Sequence, residues 1–270
     1  MLNKELLLTK KKDKWKSDDV IHFIAACDGD NINFFRLSGS SIPPSSDFNV
    51  YINGKLINQE YTNLTFKEND EIIIELNNKN SYYPYFNPGL SSIYDVLDYI
   101  REIVEPFPSF YTNHSNPTME NNLSGMFNNC SKLIKICDDL FINNHIDNVY
   151  YYFESTFRNC ISLEAIPNDL LKKYASYINS VAEMFYNCLG LTTIPQNLFK
   201  YNTGLTLIRS CFEKCVNLKN FKLYIGSSSV IYLNKFIPDN SGGTVIVPKN
   251  SNTYRNFLST NISGLTIETF

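Results

Sequence analysis

The sequence predicts an α+β protein: a small antiparallel β-sandwich-like domain, then a short solenoid with a capping helix ahead of it and a C-terminal cap behind. Three observations carry this. Residues 15–80 hold short β-rich runs separated by turn signals, the period changes at Ser91, and one apolar frame then recurs four times between Phe127 and Phe221. The implied boundaries are a β-rich docking domain over 1–82, a helix and linker over 83–122 acting as N-terminal cap, about four repeats over 123–225, and the C-terminal cap over 226–270.

In the first region the runs IHFIAAC, NINFFRL, FNVYING and EIIIEL read as strands. Asp28-Gly29, a Ser/Gly/Pro stretch at 38–46, Asn53-Gly54 and Asn69-Asp70 separate them. Asn53-Gly54 lies between two apolar runs and suits a two-residue hairpin turn, in which both positions want positive φ. Ile72, Ile74 and Leu76 alternate, so they share one face of their strand. An Ig-like sandwich is the favoured form, with a β-grasp or another compact sheet as alternatives.

SSIYDVLDYIREIVEPF follows. Ile93, Val96, Leu97, Ile100, Ile103 and Val104 fall on one helical stripe, Ser92 and Asp95 have capping-box spacing, and Pro106 and Pro108 close the segment. The expected helix would shield the first repeat. The polar segment 112–122 then leads into the array.

The four copies read MFNNCSKLIKICDDLF from Met126, TFRNCISLEAIPNDLL from Thr156, MFYNCLGLTTIPQNLF from Met184 and CFEKCVNLKNFKLY from Cys211. Cys130, Cys160, Cys188 and Cys215 are about 27 to 30 residues apart. Three residues before each stands Phe127, Phe157, Phe185 or Phe212, and three after each stands Leu133, Leu163, Leu191 or Leu218. Ile136, Ile166, Ile194 and Phe221 complete the frame. Leu and Ile three apart cannot alternate on one strand, so each copy should open with a tight turn and continue as a short strand. Stacked copies would set Phe, Cys, Leu and Ile in continuous columns, with Cys where little room is left. The tracts between copies vary in length and are expected to be exposed loops or helical edges. In the closing segment, Val245 and Val247 alternate around Ile246, a short helix is expected from about Asn252 to Leu258, and LTIETF offers a last strand.

The MF-x-x-C-x-x-L-x-x-I-P-x-x-L-F frame resembles the BspA-type leucine-rich repeats of bacterial surface proteins and of some phage and protist proteins, over residues 126–270. The ending GTVIVPKNSNTYRNFL is similar to the cap that follows such arrays. The resemblance implies a leucine-rich-repeat solenoid used for adhesion or protein–protein contact. Cys137 in place of Pro, and Asn220-Phe221-Lys222 in place of the Ile-Pro pair, depart from it in the terminal copies.

Of seven cysteines, four are in the frame, Cys211 replaces a Met, Cys137 replaces a Pro, and Cys27 is left over. They form neither CxxC nor CxxH pairs. The frame cysteines are expected to be reduced, buried and slow toward thiol reagents. His22, His114 and His145 have no partner at ligand spacing, and Asp18-Asp19 and Asp138-Asp139 read as solvated turns. No hydrolase, zinc, P-loop or dinucleotide motif is present. The expectation is therefore no enzyme, no cofactor and no metal.

Net charge −3 gives no footprint for nucleic acid, and no run approaches the ~20 apolar residues that span a bilayer. The N-terminal MLNKELLLTKKK has only three leucines before its lysines, so synthesis in a cytoplasm without a signal peptide is expected. With 43% apolar and 19% charged residues, the chain has the composition of a folded protein. Function should lie on residues between the columns: Ile134, Lys135, Glu164, Ala165, Thr192, Thr193, Lys219 and Asn220. Tyr150 and Tyr152 join them from the aromatic run 150–153, since exposed tyrosines suit recognition. The expected role is a phage virion protein, such as a fibre or decoration component, that binds a protein or glycan and docks on other virion or surface proteins through its first domain. A bacterial surface adhesin, and an enzyme with a site in the β domain or at its junction with the array, are the alternatives. A homo-oligomer is compatible with the sequence, although no heptad run supports one.

Overall fold

A computed structural model of the chain describes residues 20–32, 48–58, 64–76, 99–106, 123–142, 151–175, 177–239 and 241–270. These residues are mostly β, and among them the α part of the α+β expectation is one short helix.

Strands β1 (Val20–Ala25), β3 (Phe48–Ile52), β4 (Lys55–Asn58), β6 (Glu71–Leu76) and β7 (Ile100–Ile103) form an antiparallel sheet in the order β4-β3-β6-β1-β7. Period-two alternation sets its core face. Register aligns Val50, Ile74 and Ile21 in one row and Ile52, Ile72, Phe23 and Ile103 in the next, and all seven are buried. Between β3 and β4, Asn53 and Gly54 take φ of 50° and 77°, the two positive values the hairpin was expected to need. Strands β2 (Gly29–Ile32) and β5 (Leu64–Phe66) pair separately, and their Ile32, Leu64 and Phe66 enter the same core. Gly29 is required there, since a Cβ would lie 2.4 Å from the Phe66 ring.

The helix expected from Ser91 is corrected by β7. Residues 91–98 and 107–122 lie outside the described residues, but Ile100–Ile103 is a strand, antiparallel to β1. The register passes from Ile24↔Glu102 to Ala25↔Ile100, which leaves Arg101 as an extra, bulged residue. A bulge shifts the side-chain phase by one, so Ile100 and Ile103 both face the core despite helix-like spacing. Two β-branched residues with a sheet edge on offer fit a strand better than a helix.

The opposite edge of β7 meets the array. The Ile103 amide donates to the Lys135 carbonyl at 3.0 Å, the Ile134 amide donates to the Arg101 carbonyl at 2.8 Å, and Glu102 bridges Lys135 in parallel. Nearby, the Lys132 ammonium donates to the Cys27 sulfur at 2.9 Å and lies 5.7 Å from the Tyr99 ring centre.

At the far end, β10 (Lys222–Tyr224), β11 (Thr244–Val247) and β12 (Thr266–Thr269) form a small parallel sheet in that order. Helix α1 (Asn252–Thr260) crosses from β11 to β12; Ser251 caps it by accepting from the Tyr254 amide at 3.0 Å. Its Phe257 meets Phe236 edge to face at 5.8 Å. The buried Thr253 hydroxyl donates to the Ser227 carbonyl and accepts from the Val230 amide. The closing helix and strand thus lie where the sequence set them.

Candidate functional site

Each copy opens with a turn that needs two left-handed residues. Two positions before the Phe they are Gly125, Ser155, Glu183 and Ser210, and one before the Cys they are Asn129, Asn159, Asn187 and Lys214. Asn tolerates that conformation well. It is also used for pairing: Asn187 donates its amide to the Asn159 oxygen at 3.0 Å, and Asn159 donates to Asn129 at 2.7 Å. Backbone bonds run in step, from Phe127 N to Thr156 O, Phe157 N to Met184 O and Phe185 N to Cys211 O.

The frame residues form buried columns. The Phe127, Phe157, Phe185 and Phe212 rings stack at 5.2, 5.4 and 5.4 Å, within 11° of parallel. The cysteines have a bonding role in addition to their size. The thiols of Cys160, Cys188 and Cys215 donate to the carbonyls of Phe127, Phe157 and Phe185, one copy back, at 3.1, 3.1 and 2.9 Å. All seven cysteines are free thiols. Burial, reinforced by neighbouring thiols, pushes the Cys160 and Cys188 thiols well up, and burial does the same to Cys211. Cys137 is pushed up to about 12 by burial and by the Glu105 charge. Leu133, Leu163, Leu191 and Leu218 are buried beside them.

Two features were not legible in the repeat pattern. A degenerate fifth copy at 233–237 continues the ladder, with Ile208 N bonded to Tyr232 O, Ser210 N to Asn234 O and Phe212 N to Phe236 O. Leu233, Phe236 and Ile237 are buried in it. The variable tracts, expected to be exposed, instead contain β8 (Tyr151–Tyr152) and β9 (Ile178–Ser180), paired in parallel and continued by bridges from Ser180 to Leu207 and on to Tyr232. Ile178, Ser180 and Val181 are buried because this line closes the other side of each copy over Phe153 and Tyr174.

Of the residues proposed to carry function, Lys135, Glu164, Ala165, Thr192, Thr193, Lys219 and Asn220 are exposed and Ile134 is half-buried. The Glu164 amide bonds to the Ile134 carbonyl and the Lys219 amide to the Thr192 carbonyl, so these slots form a row. Between its second and third members, Gly190 donates to Ile161, and a Cβ on Gly190 would lie 2.6 Å from the Leu163 carbonyl oxygen. The row begins earlier than the repeats suggested, at Arg101 and Glu102 on β7, whose side chains pair at 3.2 Å. Asn220, with φ 49°, bonds through its amide to the Ser241 carbonyl and belongs to the closing turn. Tyr150, the side chain of Tyr152, His114 and His145 lie outside the described residues. His22 is half-buried on β1, its Nε2 3.2 Å from a Glu71 oxygen.

Along the turns runs a second, partly exposed strip. Arg158 bonds Glu183 and lies 4.2 Å from the Tyr186 ring centre, Lys214 lies 5.1 Å from the same ring, and Lys235 pairs with Glu213 at 3.4 Å. Exposed pairs of this kind contribute little to stability. Among the described residues, no three His, Cys, Asp or Glu side chains are grouped to hold a metal ion, and no helix is long and apolar enough to cross a membrane. No family model, curated protein or solved structure matches this chain.

Proposed function

We propose that the chain is a non-enzymatic binding or structural module, in which an Ig-like sandwich docks the protein and a short leucine-rich-repeat solenoid presents a surface to a protein or glycan. The observation that carries this is the division within each copy. Phe, Cys and Leu are buried, with Phe and Cys bonded copy to copy, while all but Ile134 of the residues between Leu and the next apolar position are exposed and differ in charge from copy to copy. Repeat arrays bind along such faces. The pair β2–β5, sharing one core with the five-stranded sheet, supports a two-sheet sandwich over a single sheet. A phage virion, with the chain as a fibre or decoration component, is the setting in which we place this adhesin-like repeat. The test is mass spectrometry of purified virions from the source that encodes the chain. Stoichiometric presence is expected, and a chain found only in the lysate rejects the virion placement.

A further inference from the structure

A different part of the copies carries a surface that the slot residues do not include. After the Leu-Leu or Leu-Phe pair of the second and third copies stand Lys172 and Lys200, both exposed, followed in the third by Tyr201, which is 38% exposed. Lys172 Nζ lies 5.6 Å from the Tyr201 ring centre, and Lys200 Nζ lies 5.7 Å from Tyr201 and 5.4 Å from Tyr224. Tyr224 in turn meets Phe270 edge to face at 5.9 Å. Ammonium and ring therefore alternate along one line drawn from the 3-10 turn Lys172–Tyr174, the turn at 200–201, β10 and the last residue. The parallel sheet holds this line outward. Leu223 aligns with Val245 and Ile267 on the inner face, which leaves Lys222 and Tyr224 on the outer one. Beyond its contact with Tyr224, Phe270 stays 60% exposed.

The charged side chains that flank the rings are lysines: Lys172, Lys200 and Lys222 are exposed, and among the described residues Asp169 lies 3.4 Å from Lys172 while Glu268 stands on β12. We propose that this line binds an acidic polysaccharide, with the aromatic rings against the apolar faces of its sugars and the lysines on its carboxylates. Ammonium groups set against rings call for an anion, and the rings call for one with flat apolar faces. Lysines act as point charges that follow carboxylates spaced along a polymer, whereas planar, two-pronged recognition of one carboxylate uses arginine, which this line lacks. The site stands apart from the slot row and does not depend on it.

The test is titration of the full chain with polygalacturonate, with neutral dextran, polyglutamate and a single-stranded oligonucleotide as comparisons. Polygalacturonate is expected to bind and to weaken with salt. K172Q/K200Q should lose at least tenfold and Y201A at least fivefold, while Y201F and the charge-matched control K214Q/K235Q, on the strip along the turns, bind as the parent does. All these side chains are exposed or half-buried, so thermal midpoints should hold. No binding by the parent, equal or tighter binding of polyglutamate or the oligonucleotide, undiminished binding by K172Q/K200Q, or a loss in K214Q/K235Q equal to that in K172Q/K200Q would each overturn the assignment. Loss in the slot variant T192A/T193A alone would place the ligand on the slot row and leave the proposed function standing.

Discussion

Phe185→Ala removes the middle ring of the aromatic column. Phe185 is fully buried, with Phe157 and Phe212 both at 5.4 Å and tilted by 4° and 5°. Truncation leaves a ring-sized void between two rings held by their own backbone bonds, so the site has little freedom to collapse. The loss should be near the top of the range for a buried Phe, about 3–5 kcal/mol. Each ring pair contributes about 0.5–1.5 kcal/mol beyond area burial, and Phe185 has two parallel neighbours where Phe127 has one, Phe157 at 5.2 Å. Phe127→Ala should therefore cost less, and the double variant with Phe157→Ala should show coupling of about 0.5–1.5 kcal/mol. In a thermal scan the shift is about 6–20 °C at 2–4 °C per kcal/mol. Midpoints equal to the parent's, or a Phe157/Phe185 cycle with no coupling, would refute a stacked column.

Cys188→Ser keeps a donor for the Phe157 carbonyl and should cost less than Cys188→Leu, which overpacks by about 1–3 kcal/mol; the reverse order in guanidinium melts rejects the thiol bond. Because Cys137, Cys160, Cys188 and Cys211 hold their protons more tightly when folded, stability should be full below the unfolded thiol range near about 8.5. It should then fall by about 1.4 kcal/mol per pH unit per thiol above that, and a guanidinium midpoint flat from pH 7 to 10 would contradict it. In the folded chain at neutral pH, half-buried Cys27 should react with a thiol reagent well before Cys160, Cys188 or Cys211, as read by peptide mass spectrometry. Gly190→Ala drives a methyl against the Leu163 carbonyl and should destabilise by about 1–3 kcal/mol, whereas a neutral result would show that the second and third copies can part there.

The features legible in the sequence were those whose cause is local. Asn53-Gly54 names its turn through φ alone, and the Phe-x-x-Cys-x-x-Leu frame repeats because each copy must match the one it lies on. What stayed hidden depends on distant partners. Ile100 and Ile103 imitate a helix because Arg101 bulges out of the pairing with β1, and nothing within seven or eight residues of sequence reports β1. Strands β8 and β9 are two and three residues long and are defined by each other across a gap of 27 or so residues, so no periodicity within either marks it. The fifth copy has Ile237 where the others have Phe, and with Leu233 and Phe236 also buried it keeps enough to pack but too little to recognise. Of the slot residues, exposure followed from the frame for all but Ile134, and the extension of their row to Arg101 and Glu102 required β7 to be a strand.

Strand β7 is held by β1 on one edge and by Ile134 and Lys135 on the other. A pull between the first sheet and the array therefore loads these backbone bonds on both edges of β7. Rupture at β7 would strip an edge from the sheet and uncover the first copy in the same event. The first sheet and the copies should then yield in one event rather than one after the other.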